Sequence, residues 1–247
     1  MATLGSRTAL SAASRVVVLL VLCLGLVACP RPVQPPPPAP SVPPPSSAPS
    51  SPPPDSATDF YEIDTQASVV HIHVFRGGTL ARLGHNHVIT SRSVTGRAWL
   101  HPRFTASGFE LSFPVAELVV DDPQARQAAG SDFPPEIPTA DQEGTKKNML
   151  RPEVLDAQKY PKVTFRSASI SGSLQAPRIT ARITIKDVSR EVVVPASIAL
   201  NGKRLTARGE LEILQTEFGM KPFSVALGAL AVQDRLRVRF DLVAVKR

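Results

Sequence analysis

The chain has 247 residues, 25 of them proline, two cysteines, and a formal net charge of +7 from 28 Lys and Arg against 21 Asp and Glu. The positive surplus is dispersed, with no basic block interleaved with aromatics, which excludes the usual signature of a nucleic-acid partner and leaves a weak preference for anionic surfaces. Cys23 and Cys29 both lie near the N-terminus, so no disulfide braces the rest of the chain, and a domain there must stand on buried apolar area.

Arg7 and Arg15 precede the run VVVLLVLCLGLVAC, which is short for a membrane-spanning helix and reads as an export signal over residues 1–28. Leu26, Val27, Ala28 and Cys29 resemble the bacterial lipobox. On that reading Cys29 becomes the first residue of the mature protein and carries a diacylglycerol that anchors it in the membrane. An ordinary secretory signal with a stray cysteine, or an uncleaved anchor, are the alternatives, and each of them still exports the domain. Pro30, where an aspartate would retain the protein at the inner membrane, favours the outer membrane, facing the periplasm. Residues 29–58 hold the lipidated cysteine and more than half of the prolines. They predict an extended polyproline II spacer, at ~3.1 Å per residue.

From residue 59 to 247 the dominant period is two. In SVVHIHVF, Val70, Ile72 and Val74 share one face, and His71, His73 and Phe75 the other. RAWL follows, and then FELSFPV, with Phe109, Leu111, Phe113 and Val115 set against Glu110 and Ser112. Residues 139–151 break the pattern: Thr139 and Gln142 have capping-box spacing, and a short helix ending before Pro152 is predicted. Further strands are predicted at KVTFRSASI, RITARITIK, REVVVPASIAL, LTARGELEILQ and FSVALGAL. In the last, RLRVRFDLVAV, Leu236, Val238, Phe240 and Leu242 oppose Arg235, Arg237, Arg239 and Asp241. Eight or nine half-buried antiparallel strands hide their dry faces either in a sandwich or in a closed barrel.

The run NMLRPEVLDAQKYPKVTFRSASI, residues 148–170, resembles the signature of the YceI-like family of bacterial exported proteins, through Leu150, Leu155, Asp156, Lys159, Tyr160, Pro161, Thr164, Phe165 and Ser167. YEIDTQAS and RITARITIKDVSREVVVPASI are similar to that family in order and spacing. The resemblance implies an all-β fold, an eight-stranded antiparallel lipocalin-like β-barrel with a short helical excursion. It also implies an elongated apolar cavity for isoprenoid chains of quinone or polyprenyl type. One stretch departs from the family pattern. GHNHVITSRSVTG, residues 84–96, has histidines in place of an aromatic and a longer turn.

Four of the five histidines fall in HIHV and LGHNHV. If the two pairs lie on neighbouring strands, His71, His73, His85 and His87 could form one imidazole patch able to take zinc, copper or nickel. The alternatives place His71 and His73 on a wet outer face with His85 and His87 capping a strand end, or assign the imidazoles to the headgroup of a ligand such as a quinone. No nucleophile elbow, phosphate loop, HExxH motif or spare cysteine is present. Asp121 and Asp122 read as a solvated turn, and Lys221 as the tip of a bend.

The reading is therefore a non-enzymatic, membrane-anchored carrier that binds, stores or transports an amphiphilic isoprenoid-type lipid in the cell envelope. No cofactor is called for beyond that bound lipid or quinone. The expected cavity lining is Phe109, Leu111 and Phe113 on one strand, Ile183 and Ile185 on a second, Leu211 on a third, and Val238 and Phe240 on the last. Two rivals stand beside it: a histidine-based metal-binding periplasmic module, and a structural lipoprotein with a filled barrel. The sequence leaves the oligomeric state open, a dimer included.

Overall fold

The computed structural model describes residues 59–134 and 136–247. The expected signal, Cys29 and the proline-rich spacer lie outside the described residues. Alternating sequence produces the strands β1 (Asp59–Ile63), β2 (Val69–Gly77), β3 (His87–Ser91), β4 (Thr95–Leu100), β5 (Gly108–Pro114) and β6 (Val119–Val120). After the helices α1 (Pro123–Ala129) and α2 (Thr139–Met149) come β7 (Lys162–Gly172), β8 (Pro177–Ile185), β9 (Val188–Val194), β10 (Ala196–Asn201), β11 (Arg204–Leu214), β12 (Ser224–Val225) and β13 (Leu230–Lys246).

These segments compose eight antiparallel staves, because several neighbours are one stretch of chain bent once. β1 and β2 both lie along β13, with Ile63 opposite Ala244 and Val70 opposite Phe240. β3 pairs with β2 and β4 with β1, so the second stave follows the bend of the first. Pairing continues from β4 to β5, β7, β8 and β9. β9 runs into β10 through Pro195, β10 pairs with β11, and β11 returns to β13 with Leu211 opposite Val238. The antiparallel path thus comes back on itself as the lipocalin-like barrel that the sequence predicts. Its ladders and its core are formed among residues 59–247, so this segment carries its own fold.

At the Pro195 bend the chain crosses β11 closely. A Cβ at Gly209 would lie 2.1 Å from Pro195 O and 2.6 Å from Phe240 Cζ, so no larger residue fits there without movement.

Three local expectations change. FSVALGAL yields only the two-residue β12, because Ala226 and Leu227 adopt φ of 50° and 56° and turn the chain out of the ladder. α2 begins at Thr139, but Thr139 does not cap it: Pro138 occupies the cap position, and Gln142 Nε2 donates to Ile137 O at 2.9 Å. α1 was not predicted. Asp122 caps it by accepting from Ala125 N at 2.9 Å, and Pro123 supplies a preset φ at the first position. Among the described residues no helix is long and apolar enough to cross a membrane.

Candidate functional site

The inward faces of the staves enclose two apolar chambers. The larger has a volume of 440 Å³ and the smaller 160 Å³. Val70, Phe113, Phe165, Ile183, Leu211 and Val238 line both chambers and so form a waist between them. Phe113 and Phe165 meet there with ring centroids 5.6 Å apart. The larger chamber alone falls within the roughly 300–1,000 Å³ typical of ligand pockets.

Of the eight residues expected to line a cavity, Phe113, Ile183, Leu211 and Val238 stand at the waist. Phe109, Leu111 and Phe240 line the small inner chamber, and Ile185 lines the larger one. Ile72, Val74, Ile89 and Ile213 also line the larger chamber, although they were not singled out from sequence. For Ile72 and Val74 the signal was available, since the alternation in SVVHIHVF places them on the dry face with Val70.

Polar side chains collect at one end of the larger chamber, where Arg76, His85, His87, Asp141, Thr145, Asn148 and Gln215 contribute. His87 is the best held of these. Its Nδ1–H donates to Asp121 Oδ2 at 2.6 Å, and its Nε2 lies 3.4 Å from the Thr145 hydroxyl on α2. With the Nδ1–H committed to the carboxylate, Nε2 is the nitrogen turned toward the chamber and the Thr145 hydroxyl. His85 lies on the rim, exposed, with Nε2 3.4 Å from Asp141 Oδ2.

Asp121 does not sit in a solvated turn. Its side chain is wholly buried, with φ at 57°, and it also accepts from Val88 N at 2.9 Å and from Arg126 Nη1 at 2.6 Å. Burial by itself would raise its pKa, but the hydrogen bond and charge of His87, with the bonds from Val88 and Arg126, hold it below the ordinary carboxylate value. Arg126 is equally buried and donates further to Asn86 O at 2.7 Å and to Pro134 O at 2.6 Å. This network ties the stretch around α1 to β3. No sequence signal pointed to Arg126, because a lone arginine in a seven-residue helix carries no periodicity.

The two histidine pairs do not converge. Opposite residues of an antiparallel pair point to the same face, and the register sets His87 opposite Val74 but Val88 opposite His73. His87 therefore faces the chamber, while His71 and His73 lie on the outside. That outer face is not wet at His73, which is 4% exposed with its ring edge against Phe133 at 5.3 Å. His71 Nδ1 is 3.0 Å from Thr90 Oγ1. Burial, followed by nearby arginine charge, lowers the pKa of both: Arg92 acts on His71 and Arg239 on His73. Among the described residues no group of three or more His, Cys, Asp and Glu is placed to hold a metal ion.

Comparison with known proteins agrees with this architecture. The model of the YceI-like domain family matches residues 61–244. The crystal structure of BcnA from Burkholderia cenocepacia is similar at 18% identity and a TM-score of 0.54, over 73% of this chain and 98% of that one. A polyisoprenoid binding domain from Saccharophagus degradans, implicated in plant cell wall breakdown, is similar at 10% identity and a TM-score of 0.51, over 76% of this chain and 98% of that one. No curated protein matches the chain. With its ladder order, its two inner chambers and a family match across nearly the whole barrel, the chain belongs to the YceI-like domain family.

Proposed function

We propose that the barrel takes up the hydrocarbon chain of an amphiphilic isoprenoid-type lipid, polyprenyl or quinone-like, and holds it without chemical conversion. The observation that carries this reading is the distribution of polarity inside the barrel. The inner chamber and the waist are lined almost wholly by apolar side chains, while polar groups are confined to the end marked by His87 and Thr145. Such a gradient suits a molecule with an apolar tail and one polar head. Removing the tail from water supplies ~25 cal/mol per Å² of apolar surface, and the head needs only a few well-placed partners. The Saccharophagus degradans domain, named for polyisoprenoid binding, supports the same class of ligand.

On this proposal the protein is an envelope carrier or buffer. Cys29 bears the lipid anchor, the proline-rich segment is the spacer, and the barrel faces the periplasm from the outer membrane. The two open chambers favour it over a structural lipoprotein with a filled barrel.

Titration of residues 59–247 with a fluorescent isoprenoid analogue tests the carrier. Saturable one-to-one uptake is expected, and Val238→Lys, which puts a charge at the waist, should abolish it while the barrel stays folded. A folded wild-type barrel with no saturable uptake, and with the native mass of the bare chain after purification from a bacterial envelope, would sink the reading. The mass of the N-terminal peptide that begins at Cys29, taken from the full chain made in a bacterial envelope, reports on the anchor independently.

A further inference from the structure

The end of the barrel where the larger chamber carries its polar residues is bordered by two loops lying side by side. Residues 77–84 leave β2, and residues 221–229 lead into β13. Leu80 N–H donates to Ala229 O at 2.7 Å, Val225 pairs with Leu230, and a Cβ at Gly84 would lie 3.0 Å from Leu230 Cδ1. Leu83 and Leu230 both line the chamber, so these loops form part of its rim.

Leu80, Leu83, Val225 and Leu227 on these loops turn apolar side chains to solvent, Leu83 at 65% exposure and Leu227 fully. A single exposed leucine is ordinary, but four such side chains on two touching loops beside a cavity form a patch. Leu227 is held out by a left-handed backbone, φ 56°, directly after Ala226 at 50°. L side chains disfavour that conformation, so neither burial nor local backbone preference accounts for a leucine there.

Charge identifies the partner. Residues 76–84 and 221–229 contain Arg76, Arg82 and Lys221, and no Asp or Glu. Arg76 Nη1 donates to Gly84 O at 2.8 Å, which holds that guanidinium at the rim. On these two loops the projecting leucines are flanked by cations alone, and the Asp141 carboxylate on the same rim is met by His85 Nε2 at 3.4 Å, a surface that matches the acyl region and the phosphates of an anionic bilayer.

We propose that this rim seats on a negatively charged membrane surface, with Leu83 and Leu227 entering the lipid and Arg76, Arg82 and Lys221 meeting the headgroups. The surface follows from exposure and charge. Only the purpose of docking, to set the chamber against the layer from which an isoprenoid chain would come, rests on the proposed cargo.

The test is flotation of residues 59–247 with vesicles of phosphatidylcholine and phosphatidylglycerol in equal parts, and with vesicles of phosphatidylcholine alone, neither containing isoprenoid. The wild-type barrel should float with the anionic vesicles and be released by high salt. L83D/L227D should lower partitioning at least tenfold with an unchanged thermal transition. L227G relieves the left-handed backbone, so it should raise the thermal midpoint while weakening flotation, a combination that a loosened fold would not produce.

Absence of wild-type flotation, or equal flotation by L83D/L227D, overturns the proposal. So does a dimer that L83D/L227D dissolves, which would assign this face to a second copy of the chain. Uptake of the isoprenoid analogue from detergent micelles, measured on the same proteins, separates the two readings: lost uptake with retained flotation removes the cargo alone, and the reverse removes the membrane seat alone.

Discussion

Asp121 and Arg126 form an ion pair at 2.6 Å with both side chains fully buried, and the same carboxylate orients His87 at the chamber. One charge pair therefore serves both packing and the site. It fastens the stretch around α1 to β3 and holds the Nδ1–H of His87 on the carboxylate, which turns Nε2 toward the chamber.

Breaking this pair from one side should be costly, because the other charge stays buried without its counter-ion. Asp121→Asn is expected to lose about 3–5 kcal/mol of stability. The double variant Asp121→Leu/Arg126→Met should lose less than the sum of the two single changes. Urea unfolding of the wild type, Asp121→Leu, Arg126→Met and the double variant measures the coupling, and additive losses would show that the two residues act separately.

Stability should fall on acidification in two windows. His71 and His73 have folded pKa values below the ordinary 6.5, so the unfolded chain binds protons first as pH drops through that value. Their contribution is whole above about pH 6.5 and declines below it. Asp121, lowered from 3.8, contributes above that value, and its share is lost as pH falls further through its folded value. Thermal midpoints from pH 8 down to about pH 2 check both windows, and His73→Leu should flatten the upper one.

His87→Phe keeps an aromatic ring at the chamber and removes both nitrogens, Nε2 toward the chamber among them. Affinity for an isoprenoid alcohol should fall by roughly tenfold, the worth of one hydrogen bond of about 1.4 kcal/mol. Affinity for the corresponding hydrocarbon should stay the same. Equal losses for both ligands would show that His87 only shapes the chamber.

Gly209→Ala should destabilise the barrel by about 1–3 kcal/mol or more, since its Cβ meets Pro195 O at 2.1 Å and the Phe240 ring at 2.6 Å. Chemical denaturation checks this, and a neutral result would mean that the bend at Pro195 yields easily.

Much of the barrel was legible because a strand with one dry face writes its orientation into the sequence. RLRVRFDLVAV places Val238 and Phe240 inward, and the structure sets both against the chambers. The histidines were less legible. Alternation shows that His71 and His73 share a face, but only the register between β2 and β3 shows that His87 takes the other. The burial of His73 depended on Phe133, some sixty residues away in sequence, and no local pattern foretells that contact. Asp121 was misread for a related reason. Two adjacent aspartates resemble a wet turn until a distant arginine and histidine cover one of them.

The stave broken at Pro195 has a mechanical meaning. β9 is bonded to β8 and β10 to β11, and the proline between them has no N–H to give to either neighbour. The stave therefore changes partner at the proline, its first half closing the wall toward β8 and its second half toward β11. With Pro195 O pressed against the backbone of Gly209, that corner acts as a rivet rather than a hinge, so that one length of chain braces two sides of the wall at once.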